Sequence, residues 1–529
     1  MDLSTQIERT EKLICRARKL RDGFRQDPHR PTYHFMPPWA WMNDINGAIF
    51  WKGRYHIFYQ HNPEGGYWKW IQWGHASSVD LVHWVDHPIA LTPTPDGPDG
   101  EGCFSGGALL SKEGAPTFIY YGKSEGICIA TSQDDMLIRW TKHRSNPVIP
   151  APKPGQSDFG KYTTHDPCAW LDGDTYYALS NRGDPRGRGD GTYLFKSQDL
   201  AHWQYAGLFY QSDRRWTEGD EDCAVPDFFP LEDKHILLFA SHLQGTEYYV
   251  GLLDGDRYYP EVHGRMSWPG GHLGGARTLL DGKGRRVFFD WIREARSTET
   301  DRAAGWSGMM TLPRILSLAR DGTLRIEPVP ELEALRLNRR VRRDVRLTAD
   351  SELSVDDVRG DCLELEVEME PDGAREFGVK VRCSPDGAEQ TSVSFDASAK
   401  KLKVDISRST LDKGVRYPYY RVYQQPHKLH PPSPCIPFPY NLRALERLPE
   451  HERFVQAQEA PFELAAGENL KLRIFLDRSV LEVFANERQC VTQRIYPTRR
   501  DSLGVLLFCS GGGVNVKSLE TWDMAPAHD

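Results

Sequence analysis

Three places in the 529-residue chain put carboxylates among neighbours unlike those of an ordinary surface acid. Asp44 sits between two amides in Trp41-Met42-Asn43-Asp44-Ile45-Asn46-Gly47, and Asp166 sits between a histidine and a proline in His165-Asp166-Pro167. Glu218, Asp220, Glu221 and Asp222 crowd together just ahead of Cys223. Two carboxyl groups about 5 to 5.5 Å apart across a cavity suit retaining glycoside hydrolysis, in which one attacks the anomeric carbon and the other protonates the leaving oxygen. The proton donor needs a raised pKa, which like-charged neighbours and partial burial provide, and the cluster at 218–222 supplies such neighbours.

Acids so far apart in sequence need a fold that gathers them. The run from Ala48 to Tyr59 reads as a β-hairpin turning at Gly53, and the pattern recurs at Lys112-Glu113-Gly114, Asp172-Gly173-Asp174, Glu232-Asp233-Lys234 and Asp281-Gly282-Lys283-Gly284. The step is roughly 50 to 60 residues, the range of a propeller blade with long loops. A second repeat falls between the hairpins, as Ser78-Val79-Asp80-Leu81-Val82-His83-Trp84, as Ser197 to Trp203 and, more loosely, as Ser132 to Trp140. It is placed as an outer-strand turn. The reading is all-β: a five-bladed propeller over residues 31–335, with the first strand of each blade lining a central channel, so that Asp44, Asp166 and the 218–222 cluster converge. Blade two offers Phe104-Ser105-Gly106-Gly107 at that position instead of an acid.

Residues 336–529 read as a β-sandwich, from alternating runs such as Leu363 to Val367 and Leu470 to Phe475. A proline- and aromatic-rich insertion at about 414–460 interrupts it as a long loop, because so many prolines exclude a central strand. Residues 1–30 form a short helical segment, opened by a capping box at Thr5 and Glu8 and carried by Ile7, Ile14, Ala17, Leu20 and Phe24. The N-terminus lacks the apolar core of a secretory signal and no transmembrane run follows, so a cytoplasmic location is expected. A net charge of −8 with both signs interspersed offers no basic face for phosphates, which excludes nucleic acid as a partner and favours a neutral substrate. No membrane partner is expected, and self-association into a homo-oligomer is left open. Ten cysteines stand singly and read as mostly buried thiols; no His/Cys cluster has ligand spacing, so neither metal nor cofactor is expected.

The motifs then acquire a specific resemblance. Trp41-Met42-Asn43-Asp44-x-Asn46-Gly47, Phe58-Tyr59-Gln60-x-Asn62-Pro63, Trp73-Gly74-His75-Ala76, Phe104-Ser105-Gly106, Asp166-Pro167 and Pro226-Asp227-Phe228-Phe229-Pro230 follow the order seen in glycoside hydrolase family 32, the invertases, inulinases, levanases and related fructosyltransferases. The match continues through Leu312-Pro313-Arg314 to Asp477 to Phe484 in the sandwich. The resemblance implies a retaining β-fructofuranosidase acting on sucrose, fructo-oligosaccharides or fructan. Asp44 is then the nucleophile and Asp166 the transition-state stabiliser, while Asn43, Gln60, Trp68, Phe104 and Ser105 line the fructose pocket. His165 stands beside that pocket where the family has arginine, which removes a five-donor fork. The family's compact Glu-Cys-Pro-Asp is lengthened here to Glu221-Asp222-Cys223-Ala224-Val225-Pro226-Asp227, so Glu221 is taken as acid/base with Asp222 as the alternative. Two other functions stay open: a fructosyltransferase or difructose-dianhydride-forming enzyme of the same family, and a non-catalytic sugar-binding propeller. Asp227 is expected to brace its blade, Asp477 and Glu482 to organise a sandwich strand, Trp70 to serve as either a sugar platform or core, and Trp291 and Arg293 to lie near the rim or within the blade.

Overall fold

The computed structural model describes residues 12, 15, 19, 23–24, 26–123, 125–181, 191–217, 223–241, 244–419 and 449–527. Hairpins dominate it because turn residues recur where the chain must reverse. Lys52 and Gly53 both take positive φ (47° and 80°), the requirement of the two-residue turn whose twist matches that of paired strands. Blade one runs outward through Ala40–Trp51, Arg54–Asn62, Gln72–Ser78 and Trp84–Leu91, and blade two through Cys103–Leu110, Pro116–Gly122, Gly126–Ser132 and Trp140–Lys142. Blade three comprises Cys168–Asp172, Thr175–Asn181, Gly191–Ser197 and Trp203–Gln211; blade four comprises Ala224–Leu231, Lys234–Ser241, Gly245–Asp254 and Arg257–Arg265. Blade five is Arg277–Leu280, Arg286–Phe289, Arg314–Leu318 and Leu324–Pro328. The ring is tied where Trp306–Ser307, from an excursion of blade five, pairs in parallel with Ala40 and Trp41.

The second sequence repeat has one physical basis in all three copies. Asp80, Asp134 and Asp199 each accept backbone N–H groups of the following turn, the leucines at 81, 137 and 200 adopt positive φ, and Trp84, Trp140 and Trp203 donate their indole N–H to those leucine carbonyls. Each turn joins the third strand of a blade to its fourth. The alternating runs beyond Arg336 form two stacked six-stranded antiparallel sheets with a shared apolar core, a β-sandwich.

Propeller and sandwich are joined by buried charge. Asp477 accepts the backbone N–H groups of Thr32, Tyr33 and His34 at 2.7, 2.8 and 2.9 Å, and the two nitrogens of the His34 ring lie 2.9 Å from Asp477 and 3.3 Å from Glu482. Glu482 in turn receives Arg314 at 2.9 Å and the N–H of Leu312 at 3.0 Å. Both acids therefore brace the junction between the two bodies, a larger role than ordering one sandwich strand. Of the N-terminal helix, most residues lie outside those described; Lys12, Cys15, Lys19, Gly23 and Phe24 are helical, and the Arg30 guanidinium stacks on the Phe24 ring at 4.8 Å. Residues 420–448 of the proline-rich insertion also lie outside them, while its flanks meet through Val455 N–H to Tyr417 carbonyl at 2.8 Å. Among the described residues no helix is long and apolar enough to cross a membrane.

Blade one buries a row of imidazoles. His56 and His75 are hydrogen-bonded at 3.0 Å, His75 stacks on Phe58 and faces His87, and His61 bonds the Trp41 carbonyl at 2.8 Å. Desolvation pushes His56, His61 and His87 down to about 4 and His75 well below its ordinary value. Between about pH 4 and 6.5 the unfolded chain thus takes up protons that the fold refuses, and stability falls with pH by at most about 1.4 kcal/mol per group per unit. His34 runs the other way: burial opposes its charge, but Asp477 and Glu482 hold its pKa above the usual value, so its contribution is fully present throughout that window. The melting temperature is expected to drop by several degrees from pH 7 to pH 5; a level profile over that range would contradict the burial of neutral rings.

Candidate active site

The nucleophile candidate owes its setting to a break in strand pairing. Along Ala40–Trp51 the register with Arg54–Asn62 shifts between Met42 and Ile45, which takes Asn43 and Asp44 out of the regular ladder. Side chains then close a directed circuit around Asp44. Trp41 Nε1 donates to Asn43 Oδ1 at 2.7 Å, and Asn43 Nδ2 donates to Gln60 Oε1 at 2.9 Å and to Asp44 Oδ1 at 3.1 Å. Gln60 Nε2 donates to Ser105 Oγ and, at 3.3 Å, to Asp44 Oδ2, which also accepts the Ser105 hydroxyl at 2.5 Å. Among the described residues, the three side chains hydrogen-bonded to this carboxyl, Asn43, Gln60 and Ser105, all donate to it, an arrangement that favours its anionic form.

Gly275 closes the far side. Its φ is +105°, and a Cβ placed there would come within 2.5 Å of Asp44 Oδ1 and 2.8 Å of Asp44 Cα, so only glycine fits. The Gly275 carbonyl accepts the Ile45 N–H at 2.8 Å, tying the end of the bulge to blade five. Two residues on, the buried Arg277 donates to the carbonyls of Gly106 (2.9 Å), Val225 (2.9 Å), Pro226 (2.7 Å) and Pro167 (3.2 Å), which belong to blades two, four and three. Asp227 braces blade four to blade five, accepting both the N–H and the hydroxyl of Thr278 at 2.8 Å.

An aromatic wall runs from blade one to blade three. The Trp68 ring lies 5.9 Å from Phe104, Phe104 lies 6.1 Å from Tyr121, and Tyr121 lies 4.8 Å from the His165 ring. Lys123 places its ammonium 5.6 Å from the Phe104 ring and 3.5 Å from Glu101. Beside His165, Asp166 is half-buried with φ of +41°, a conformation disfavoured for a residue with a side chain and doubly so before proline. Such strain persists only where the surroundings impose it. Glu218, Asp220, Glu221 and Asp222 lie outside the described residues, so both acid/base candidates do too.

Asn43, Asp44, Gln60 and Ser105 are thus brought into one hydrogen-bonded unit, and Trp68, Phe104 and His165 into one wall. Trp70 is 51% exposed and so is not core, whereas Trp291 and Arg293 are buried and do not form an exposed rim. The sequence does not single out Gly275 or Arg277. The signals there are weak: a Gly-Gly pair just ahead of a strand, and an arginine opening the apolar run Arg277-Thr278-Leu279-Leu280. No group of three or more metal-ligating side chains is gathered among the described residues.

Comparison with known proteins matches residues 34–328 to the glycosyl hydrolases family 32 N-terminal domain and residues 331–523 to the family 32 C-terminal domain. The chain is 30% identical to a levanase of Bacillus subtilis (94% of this chain, 70% of that protein) and 29% identical to a β-fructofuranosidase, insoluble isoenzyme 1, of Daucus carota (94% and 89%). The crystal structure of fructan 1-exohydrolase IIa from Cichorium intybus with 1-kestose superposes with a TM-score of 0.79 at 23% identity, covering 95% of this chain and 99% of that one.

Replacing Ser105 by alanine removes one charge-assisted donor from Asp44 and is expected to lower turnover about 10- to 100-fold, the equivalent of roughly 1.5–3 kcal/mol. Gly275→Ala displaces the carboxyl outright, with a loss of at least about 100-fold. Steady-state turnover within twofold of the parent for both variants would separate the circuit from the chemistry.

Proposed function

The chain belongs to glycoside hydrolase family 32, and from that premise we propose that it is a retaining β-fructofuranosidase, releasing terminal β-fructofuranosyl units from sucrose, fructo-oligosaccharides or fructan. The reading is carried by one observation: Asn43, Gln60 and Ser105, from three separate sequence motifs, all donate to the Asp44 carboxyl. Similarity to a carrot β-fructofuranosidase, a bacterial levanase and a fructan exohydrolase held with 1-kestose supports the substrate class.

In this mechanism an Asp44 oxygen attacks C2 of the fructosyl unit while the glycosidic oxygen departs with a proton from Glu221, or from Asp222 if that residue is the acid. Water then attacks C2, the same acid takes its proton, and Asp44 leaves, so the anomeric configuration is retained. Asp166 binds fructose hydroxyls, and the rings of Trp68 and Phe104 flank the sugar. The donors around Asp44 restrain its rotation, so little reorganisation accompanies attack. His165 contributes a smaller, titratable donor face beside Asp166 than an arginine would.

A proton NMR time course with sucrose tests this. The expected result is β-fructose as the first anomer, in equal amount to glucose, with Asp44→Asn reducing the rate by at least about 10⁴-fold. Glucose in excess of fructose would redirect the assignment to fructosyl transfer. Silence on sucrose, inulin-type and levan-type oligomers alike, with sugar still bound, would replace it with a binding protein.

A further inference from the structure

Asp290 belongs to none of the motifs given a role above. It is fully buried in blade five, between Arg286–Phe289 and Trp291–Ile292. Its Oδ1 accepts the backbone N–H of Gly274 at 3.1 Å and of Trp291 at 2.7 Å, and its Oδ2 accepts the Thr246 hydroxyl of blade four at 2.5 Å. Its own backbone is fixed by Thr311, whose hydroxyl accepts the Asp290 N–H at 3.1 Å and whose N–H reaches the Asp290 carbonyl at 2.9 Å. The side chain is therefore a rigid acceptor whose two oxygens hold three donors among the described residues.

One of those donors leads straight to the nucleophile. Gly274 precedes Gly275, whose Cα packs against Asp44 and whose carbonyl takes the Ile45 N–H where the strand pairing of Asn43 and Asp44 has lapsed. The order of contact is Asp290 carboxylate, Gly274 N–H, Gly275 carbonyl, Ile45 N–H, Asp44. Glycine pairs have wide conformational freedom, so without a clamp this segment would not hold Asp44 to one line of attack. Gly274 has one further bond, to the Trp291 carbonyl at 3.2 Å, and Trp291 is itself fixed by Asp290.

We infer that Asp290 is a positioning residue for the reaction: by clamping Gly274-Gly275 it sets the direction in which the Asp44 carboxylate meets the anomeric carbon. The inference rests on the proposed β-fructofuranosidase activity. Asp290 is fully buried behind Gly274-Gly275, so its removal is expected to act on the chemical step and not on sugar binding.

The test compares Asp290→Ala, Asp290→Asn and Thr246→Val with the parent, measuring kcat, KM and melting temperature on sucrose and 1-kestose. Leu324→Ala, in the outer strand of blade five, serves as a control for destabilisation alone. Asp290→Ala is expected to lose about 100-fold in kcat with KM within about threefold, while asparagine, which keeps an acceptor for the two N–H groups, recovers to within about tenfold of the parent. Thr246→Val is expected to lose kcat by about threefold to tenfold, and Leu324→Ala to keep kcat within about twofold below its melting temperature. A kcat loss in Asp290→Ala no greater than in Leu324→Ala, or a loss carried equally by KM, overturns the inference alone. If Asp290→Ala fails to fold, unchanged kcat in Thr246→Val overturns it. A parent enzyme silent on every β-fructofuranoside overturns the activity and the inference together.

Discussion

A single buried guanidinium holds the floor of the site. Arg277 opens the first strand of blade five and places four of its N–H groups on the carbonyls of Gly106, Pro167, Val225 and Pro226, which lie in, or for Pro167 immediately ahead of, the first strands of blades two, three and four. Those carbonyls lie where innermost strands converge and no ladder partner reaches them. An unsatisfied buried carbonyl costs about 1–3 kcal/mol, so four left together would exceed the worth of many apolar contacts. The charge in turn is tolerated in a buried place because the carbonyl dipoles solvate it. Blade one is attached by neighbouring bonds, from the Gly106 N–H to Asn46 Oδ1 at 3.3 Å and from the Ile45 N–H to the Gly275 carbonyl.

The sandwich belongs to the site through its connection to the same strand. Asp477 and Glu482 capture Thr32 to His34, from which the chain passes within ten residues to Asp44. For Asp477, burial favours the neutral acid, but the His34 ring and the backbone N–H groups of Thr32 and Tyr33 hold its pKa below the usual carboxylate range. For Glu482, burial acts in the same direction and is outweighed by Arg314 and His34. An ion network with no exposed member is costly to assemble and costlier to break, which suits a permanent union better than a hinge.

The side chains of the candidate site differ in how visible they are before the fold is known. Asn43, Asp44, Gln60 and Ser105 stand in motifs whose unusual composition marks them, because a polar residue flanked by aromatics at a strand mouth has few structural uses. Phe104 stands in a matching motif, Phe104-Ser105-Gly106, whereas Trp68 is placed only by its spacing ahead of Trp73-Gly74-His75. Gly275 and Asp290 carry no such mark: a Gly-Gly pair and an acid after an apolar strand also occur at ordinary turns. Gly275 matters because it lies against Asp44, more than two hundred positions away, and Asp290 because it reaches Gly274 at 3.1 Å and Thr246 of blade four at 2.5 Å; no local pattern records those contacts.

The sequence alone therefore determined the all-β class, the five hairpins, the outer turns of three blades and the chemistry on offer, because turn residues, strand alternation and polar motifs all act over a few residues. The tertiary structure decided which polar groups meet. Closing the ring fixes the pairing of Ser105 with Asp44, the approach of Gly275 and the carbonyls Arg277 must satisfy, and ring closure is a property of all five blades at once. Trp70 and Trp291 show the same limit: both are tryptophans between the second and third strands of a blade, and only packing sends one to solvent and the other into the core.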